Sequence, residues 1–458
     1  MHINTGSKDL YKPKSRKTAI YSGITAAVIV FILMPVYLLF FTGYINSYLE
    51  NRILREFARQ YPSYCLNISG LEYNIFKNKI DCKSLAFKTD SGFTCNIGTV
   101  TIRGIAWWHL ILKRGNKKKA IFGSVADMRD IDMMFTHAGY ALSCKRFFLS
   151  MPDGEIRADM LVLNPPVDDE KFFTLKQYRS TRFLLNIPEL RLMGLVVPDV
   201  LSGRGCRARS VQISNPSFDA LVDRYAPLDP RETHLRMPNE MMSKINKQIG
   251  IETLSIMNGK LKYGEIYAYG ATPAVVIFDN LQINADGIYN YGTRRNSTVM
   301  HVQANFMQSG IMKLDIMLPL SSSKFSFKYS GSLGKMEINK LNPFLEHSEY
   351  IRVDSGVIET VAFDIRVNSG HATGTMKAVY KGLKISVLDK KTGSDKGIIK
   401  QAASLIMNQL KIRSENIAGN RIAYKMSKVE YTRQSTNSFI QFLWFSLRSG
   451  VLDVLFIK

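Results

Sequence analysis

From Thr18 to Leu49 the chain runs thirty-two residues without a charged side chain, centred on Ile24 to Phe41. About twenty apolar residues span the hydrocarbon core of a bilayer, whereas the apolar region of a cleaved leader is only about 7–15 residues long. The run therefore reads as a retained membrane anchor, and whatever follows folds on one side of that membrane. Residues 1–17 ahead of it form a basic tail, with Lys8, Lys12, Lys14, Arg16 and Lys17 against the single Asp9. Excess Lys and Arg marks the cytoplasmic end of a first span, which predicts a single-pass chain with its C-terminal body outside the cytoplasm. Arg52, Arg55 and Arg59 oppose that orientation, but they alternate with Ile53, Leu54, Glu56 and Phe57 as the same helix would on entering water. Pro35 predicts a kink, because it removes a backbone donor. Tyr37, Tyr44 and Tyr48 suit the outer interface.

Beyond the anchor the periodicity changes twice. Asn51 to Tyr61 keeps a helical period that Pro62 ends. The period then becomes two. Leu71 to Ile80, Ser84 to Lys88 and Cys95 to Arg103 read as strands of a first meander, followed by Asp130 to Phe135, Glu155 to Leu163, Phe183 to Leu192 and Arg209 to Ile213. Pro165 to Ser180, with Pro165-Pro166 and the acidic Asp168-Asp169-Glu170, reads as a solvated loop. Pro238 to Gln248 is helix-compatible and divides the body into an N-terminal module, 50–237, and a C-terminal module, 238–395. Ile251 to Tyr263 is predicted to be a hairpin turning at Asn258-Gly259, the strongest two-residue hairpin signal.

Alternation is clearest at Val302, Ala304 and Phe306; Met312, Leu314, Ile316 and Leu318; Phe325, Phe327 and Tyr329; and Val361, Phe363, Ile365 and Val367. A strand from Gly374 to Leu388 continues it. Such strands bury one face and wet the other. The helical period returns in a cap region, 396–458, at Lys396 to Leu410 and at the strongly apolar Ser438 to Phe456. Arg448, Asp453 and Gly450 speak against a second span there. A helix that covers the open end of the sheet, or lies in the membrane interface, fits the composition.

The net charge of +23 is spread along the chain except for one dense cluster, Lys113, Arg114, Lys117, Lys118 and Lys119. Scattered cations suit an anionic surface better than one phosphodiester groove, and an anchored body outside the cytoplasm speaks against nucleic acid as the partner. Ile105 to Leu112 is either a short helix or a buried strand. Trp107, Trp108, Lys117, Lys118 and Lys119 are accordingly either a membrane-surface site of interfacial rings beside lipid-attracting cations, or a packed strand followed by a basic loop. Cys65, Cys82, Cys95, Cys144 and Cys206 include no C-x-x-C, leaving open a bridge among the first three or five buried thiols. The seven histidines form no metal-binding pair, and neither a nucleophile elbow nor a phosphate loop occurs. The expectation is no catalytic residue, no metal and no cofactor.

Two blocks carry a resemblance. An apolar span followed by Gly70 to Ile80 and a short meander is similar to the opening of AsmA-like proteins of Gram-negative envelopes, a group that includes TamB-like and other bridge-like lipid-transfer proteins. The closing block runs from Leu341-Asn-Pro-Phe-Leu345 through Gly356 to Glu359, Gly374 to Leu388, an amphipathic helix and Arg433, to Ser438 to Trp444 and Ser449-Gly450. It also resembles AsmA-like sequences. The resemblance implies a mainly β fold, with an N-terminal transmembrane helix followed by an elongated, twisted antiparallel β-sheet groove with C-terminal helices. It implies anchorage in the bacterial inner membrane, a body in the periplasm, and an apolar groove that holds phospholipid acyl chains in transit between the envelope membranes. Val302, Ala304, Phe306, Leu314, Ile316, Phe325, Phe327, Val361, Phe363 and Ile365 are the candidate groove residues. Roughly 20–25 strands at about 4.8 Å each would give a groove on the order of 100–120 Å long. Two other classes stay open: an anchored β scaffold that binds envelope proteins through a sheet edge, and an anchored enzyme acting on envelope glycans.

Overall fold

Alternation at period two commits most of the chain to strands, and in the computed structural model all twenty described strands join one large mixed sheet. Residues 34, 43–74, 76–106, 120–231, 234–292, 297–388, 412–418 and 424–455 are described. Most of the expected anchor, the pair Trp107 and Trp108, the cluster Lys117, Lys118 and Lys119, and the expected helix Lys396 to Leu410 lie outside them. No helix among the described residues is long and apolar enough to cross a membrane. Helix α1 spans residues 43–60, and Pro62 follows its end as the sequence predicts.

The first ranks of the sheet come in halves. β1 (Tyr64–Ser69) and β2 (Glu72–Asn74) lie end to end, as do β3 (Lys79–Cys82) and β4 (Ser84–Thr89). β5 (Phe93–Arg103) pairs with both halves of the second rank and opens an antiparallel meander through β6 (Val125–Phe135), β7 (Tyr140–Ser150), β8 (Glu155–Asn164) and β9 (Thr181–Met193). β10 (Gly205–Ser214) and β11 (Ser217–Asp223) share the next rank. There the expected antiparallel order is corrected, because β12 (Gln248–Ile266) runs parallel to both. Parallel neighbours need a connection that returns along the strand, and residues 224–247 make that return. Antiparallel order resumes with β13 (Ala274–Tyr289), β14 (Thr298–Phe306), β15 (Gly310–Leu318) and β16 (Phe327–Leu333), which β17 (Met336–Glu337) extends. The sheet ends with β18 (Ile351–Asn368), β19 (His371–Val387) and β20 (Met426–Thr432). Because eight strands share four ranks, the sheet has sixteen ranks and is about 70–75 Å across them, shorter than expected. It passes through the expected module boundary at 237/238 without a break.

Two further expectations change. Pro165 to Ser180 contains helix α2 (Asp169–Thr174), capped by Asp168, whose Oδ1 accepts from Lys171 N–H at 2.8 Å. Asp169 pairs at 2.7 Å with Arg182, a side chain only 4% exposed, so the acidic run anchors a helix instead of only meeting water. Asn258-Gly259 is not a hairpin turn. β12 is one strand of nineteen residues, paired on both sides, and Asn258 (φ 52°) is absorbed as a bulge. A turn there would forfeit the ladders to β11 and β13, whereas a left-handed residue inside a strand costs only a local kink.

Asn258 is part of a seam. Asp130, Met160, Asn215, Asn258 and Asn280, all with φ between 48° and 53°, sit where the pairing of β6, β8, the β10–β11 rank, β12 and β13 skips residues, with a shift of register at the last two. Such bulges bend strands and strengthen their twist, so this part of the sheet is creased across its ranks.

Register sorts the side chains into rows. One unbroken line of cross-strand partners runs Tyr73, Ile80, Ile102, Ala126, Leu149, Ile156, Leu192, Val211, Leu254, Ala285, Met300, Ile316, Tyr329, Ile365, Gly374 and Val429, one residue for each rank. None is charged. The adjacent line, one residue along each strand, runs Glu72, Asp81, Thr101, Asp127, Phe148, Arg157, Arg191, Gln212, Ser255, Asn284, His301, Asp315, Ser330, Asp364, Thr375 and Lys428 through the same pairings. It is polar at every rank but one, and there Arg146 and Arg157 stack on the Phe148 ring. Successive side chains point to opposite faces. The sheet therefore has one apolar and one polar face from end to end.

Candidate functional site: a partly covered apolar face

The apolar face is covered by protein at its two ends. At the N-terminal end Leu49 and Leu54 of α1 pack on a cluster that includes Ile68, Ile80, Cys95, Ile97, Val100 and Ile131. All five cysteines are free thiols, but the alternative of five buried ones holds only for Cys82, Cys95 and Cys144, since Cys206 is partly exposed; burial raises the pKa of Cys82 to about 11. Cys65 is exposed.

At the C-terminal end the last run forms one helix (Phe439–Leu455) lying on the sheet. Phe442, Leu443 and Val454 are buried, and Tyr329 and Ser446 share a buried hydrogen bond of 2.7 Å. Gly450 permits the close approach, since a Cβ there would stand 2.8 Å from Val429 Cγ2. Burying each large side chain is worth roughly 1.5–3 kcal/mol, so the helix is firmly seated. It covers the face of the sheet, and through Ser449 and Asp453 it also reaches the backbone of the last strand at the sheet's open end.

This helix decides the fate of the sequence-predicted groove residues. Ile316, Phe325, Phe327 and Ile365 lie beneath it, with the Phe325 and Phe442 ring centroids 5.2 Å apart and those of Phe327 and Phe439 5.7 Å apart. Leu314, Val361 and Phe363 pack at its border. Ala304 is buried on β14, while Val302 and Phe306 remain partly exposed on the same face.

Between the two covered ends, from β9 to β14, the apolar rows touch the buried clusters through Leu190 and Met300 alone among the described residues, and Val211, Ala285 and Ala304 are buried within them. Leu192, Ile213, Leu254, Ile256, Ile283 and Val302 are all partly exposed. Aromatic pairs continue the surface beyond the seam, with Phe183 stacked on Phe218 at 5.7 Å and Phe278 against Phe306 at 5.1 Å. Most of these residues escaped sequence reasoning. β11 was not recognised, and reading 251–263 as a hairpin broke the alternation of β12 into two unrelated halves. The alternation Leu254, Ile256 followed by Leu261, Tyr263 was the available signal.

One end of this stretch carries charge. Glu265, 5% exposed, accepts from Arg224 Nε at 2.9 Å, from Tyr263 Oη at 2.5 Å and from the Tyr267 hydroxyl. Burial works against the Arg224 cation, but Glu265 more than offsets it and the pKa rises; burial and Glu265 together raise both tyrosines. Arg179 lies alongside and donates from Nη2 to Arg224 O at 3.1 Å, while its Nε has no partner. Burial, then the Arg224 charge, lower its pKa. The second buried pair, Glu349 with Arg448 at 3.1 Å, ties the last helix to the segment before β18. Helix α5 (Asn342–Ser348; α3 being Val197–Ser202 and α4 Pro238–Ser243) packs on both β13 and β18, and its Phe344 meets Trp444 edge-on at 6.3 Å. The partly exposed stretch is thus an apolar floor with guanidinium groups at one border and α5 and the last helix along one side. Chemically it can take an amphiphile, chain on the floor and anion at the border. Among the described residues no three His, Cys, Asp or Glu side chains are grouped as metal ligands. No protein-family model matches the chain, and no curated protein matches it.

Proposed function

We propose that the chain is an AsmA-like protein, anchored in the bacterial inner membrane by Thr18 to Leu49 with its β body in the periplasm. It holds phospholipid acyl chains on the uncovered part of its apolar face and so supports lipid transport between the envelope membranes. The row from Tyr73 to Val429 carries this reading: sixteen ranks without a charge, with Leu192, Leu254 and Met300 partly exposed where β9 to β14 pass between the two covered ends. A contiguous apolar surface in contact with water marks a binding site, and acyl chains need nothing but such a surface. The seam of bulges favours a trough, and the guanidinium groups of Arg179 and Arg224 suit a phosphate at its border.

Against a scaffold that recruits envelope proteins through a sheet edge stands the blocking of backbone donors on both edge strands. Tyr73 N–H donates to Asn46 Oδ1 of α1 at 2.8 Å. On β20, Lys428 and Glu430 N–H donate to Asp453 Oδ2 and Ser449 Oγ at 3.0 and 3.1 Å. Nucleic acid is not among the proposed partners.

Ile256 and Ser255 point to opposite faces, which gives the test. A photo-crosslinking residue at 256 in the full-length chain in its membrane is expected to yield phospholipid adducts, and one at 255 none. Protein adducts at the edge strands with no lipid at 256 would turn the assignment to a scaffold.

A further inference from the structure

The strand ends make two long margins, and their charges differ. On the first, Asn46 Oδ1 accepts from Tyr73 N–H beside the β2–β3 turn, which puts the first turn of α1 at this margin. Phe76 in that turn is 86% exposed. Midway along the same margin, where β12 begins, the return segment exposes Met241 (58%) and Ile245 (42%). Arg236, Lys244 and Lys247 are exposed around them and have no acidic partner among the described residues. Of the described acids of this segment, Asp229 pairs with Arg231 at 2.9 Å, and Glu240 is taken by Arg433 at 2.9 Å and by Met237 N–H at 2.7 Å. The segment is held rigidly: Met237 is fully buried, and Asn239 donates to Ser322 O at 3.0 Å. At the opposite margin these acids are matched, the half-exposed Asp169 and part-buried Asp219 by Arg182, the buried Glu265 by Arg224 and the part-buried Glu349 by Arg448.

We infer that the first margin rests on the bilayer surface midway along the sheet, with Met241 and Ile245 in the headgroup region and Arg236, Lys244 and Lys247 against anionic phospholipid. Exposed apolar side chains ringed by unpaired cations are the chemistry of an interfacial contact. The opposite margin lacks the cationic surplus. The strands then stand up from the membrane and the apolar rows run along it, so a lipid enters from the strand ends and not from the first rank. This rests on the proposed anchorage, but it is a separate statement about how the body sits.

The test uses the full chain, with Cys65→Ser, reconstituted in phosphatidylcholine vesicles with and without phosphatidylglycerol and with brominated acyl chains. A fluorophore on Met241→Cys is expected to be quenched several-fold more than one on Leu228→Cys at the opposite margin, and more so with phosphatidylglycerol. Replacing Arg236, Lys244 and Lys247 by Glu is expected to bring the Met241 signal down to that of Leu228. Equal quenching at the two margins, or quenching at 241 that survives the charge reversal, overturns the inference. Crosslinking at Ile256 reads the cargo separately: lipid adducts at 256 without quenching at 241 remove this contact and leave the proposed function standing, and the opposite result does the reverse.

Discussion

Glu349 carries its carboxylate 3.1 Å from Arg448, and the two side chains are only 14% and 12% exposed. Burial pushes the Glu349 carboxyl up to about 7 from an ordinary value of 4.5, and Arg448 recovers only part of the shift. A group whose pKa is raised by folding binds more protons in the fold. Its stabilising contribution is complete below about pH 4.5 and is lost as pH rises through about 7. The thermal midpoint of the chain is therefore expected to fall between about pH 5 and 7.5, and Glu349→Gln to flatten that slope. A slope that Gln leaves unchanged would assign the pH dependence to other groups. The pair also illustrates what was hidden in the sequence: Arg448 read as an argument against a second span, while its partner, ninety-nine residues away, could not be read at all.

Among the elements, the seam is the one with a sequence trace that was misread. Asn tolerates the left-handed region better than most residues, and a hairpin and a bulge both draw on that tolerance. Asn280 (φ 48°) is exposed on β13 and tests the point without disturbing a core. Asn280→Val is expected to cost about 1–2 kcal/mol in urea unfolding, because a β-branched side chain strains this conformation, and Asn280→Gly to stay within about 0.5 kcal/mol of the parent. Equal stability of the two variants would show that the backbone conformation does not hold the seam. The last helix was legible as a helix from its 3.6 period. Its seat was not, since Phe442, Leu443 and Gly450 meet strands whose place in the sheet depends on every rank before them.

At the scale of the molecule, a sheet of sixteen ranks has only two edges, and each draws a side chain from a helix at one end of the fold. Ser449 and Asp453 act here against edge-to-edge growth, the hazard of any open sheet. Replacing both by Ala is expected to leave the helix in place and to make the full chain self-associate with rising concentration, read by sedimentation velocity. A sedimentation coefficient that stays constant across concentrations would show that these contacts do not guard the edge. The uneven charge of the two margins is likewise a property of the whole, because +23 spread along a sequence does not reveal which strand ends collect the surplus.

By itself the sequence determined the β class, most strand positions, the stop of α1 at Pro62 and the separation of an apolar from a polar face. All of these follow from the local period of side chains along a strand or helix. Only the tertiary structure decided that β12 lies parallel to β11, that Asn258-Gly259 continues a strand, and that the last helix covers Ile316, Phe325, Phe327 and Ile365 while β9 to β14 stay partly bare. Those are choices of partner between distant segments. A period of two says which way a side chain points, but not what it meets.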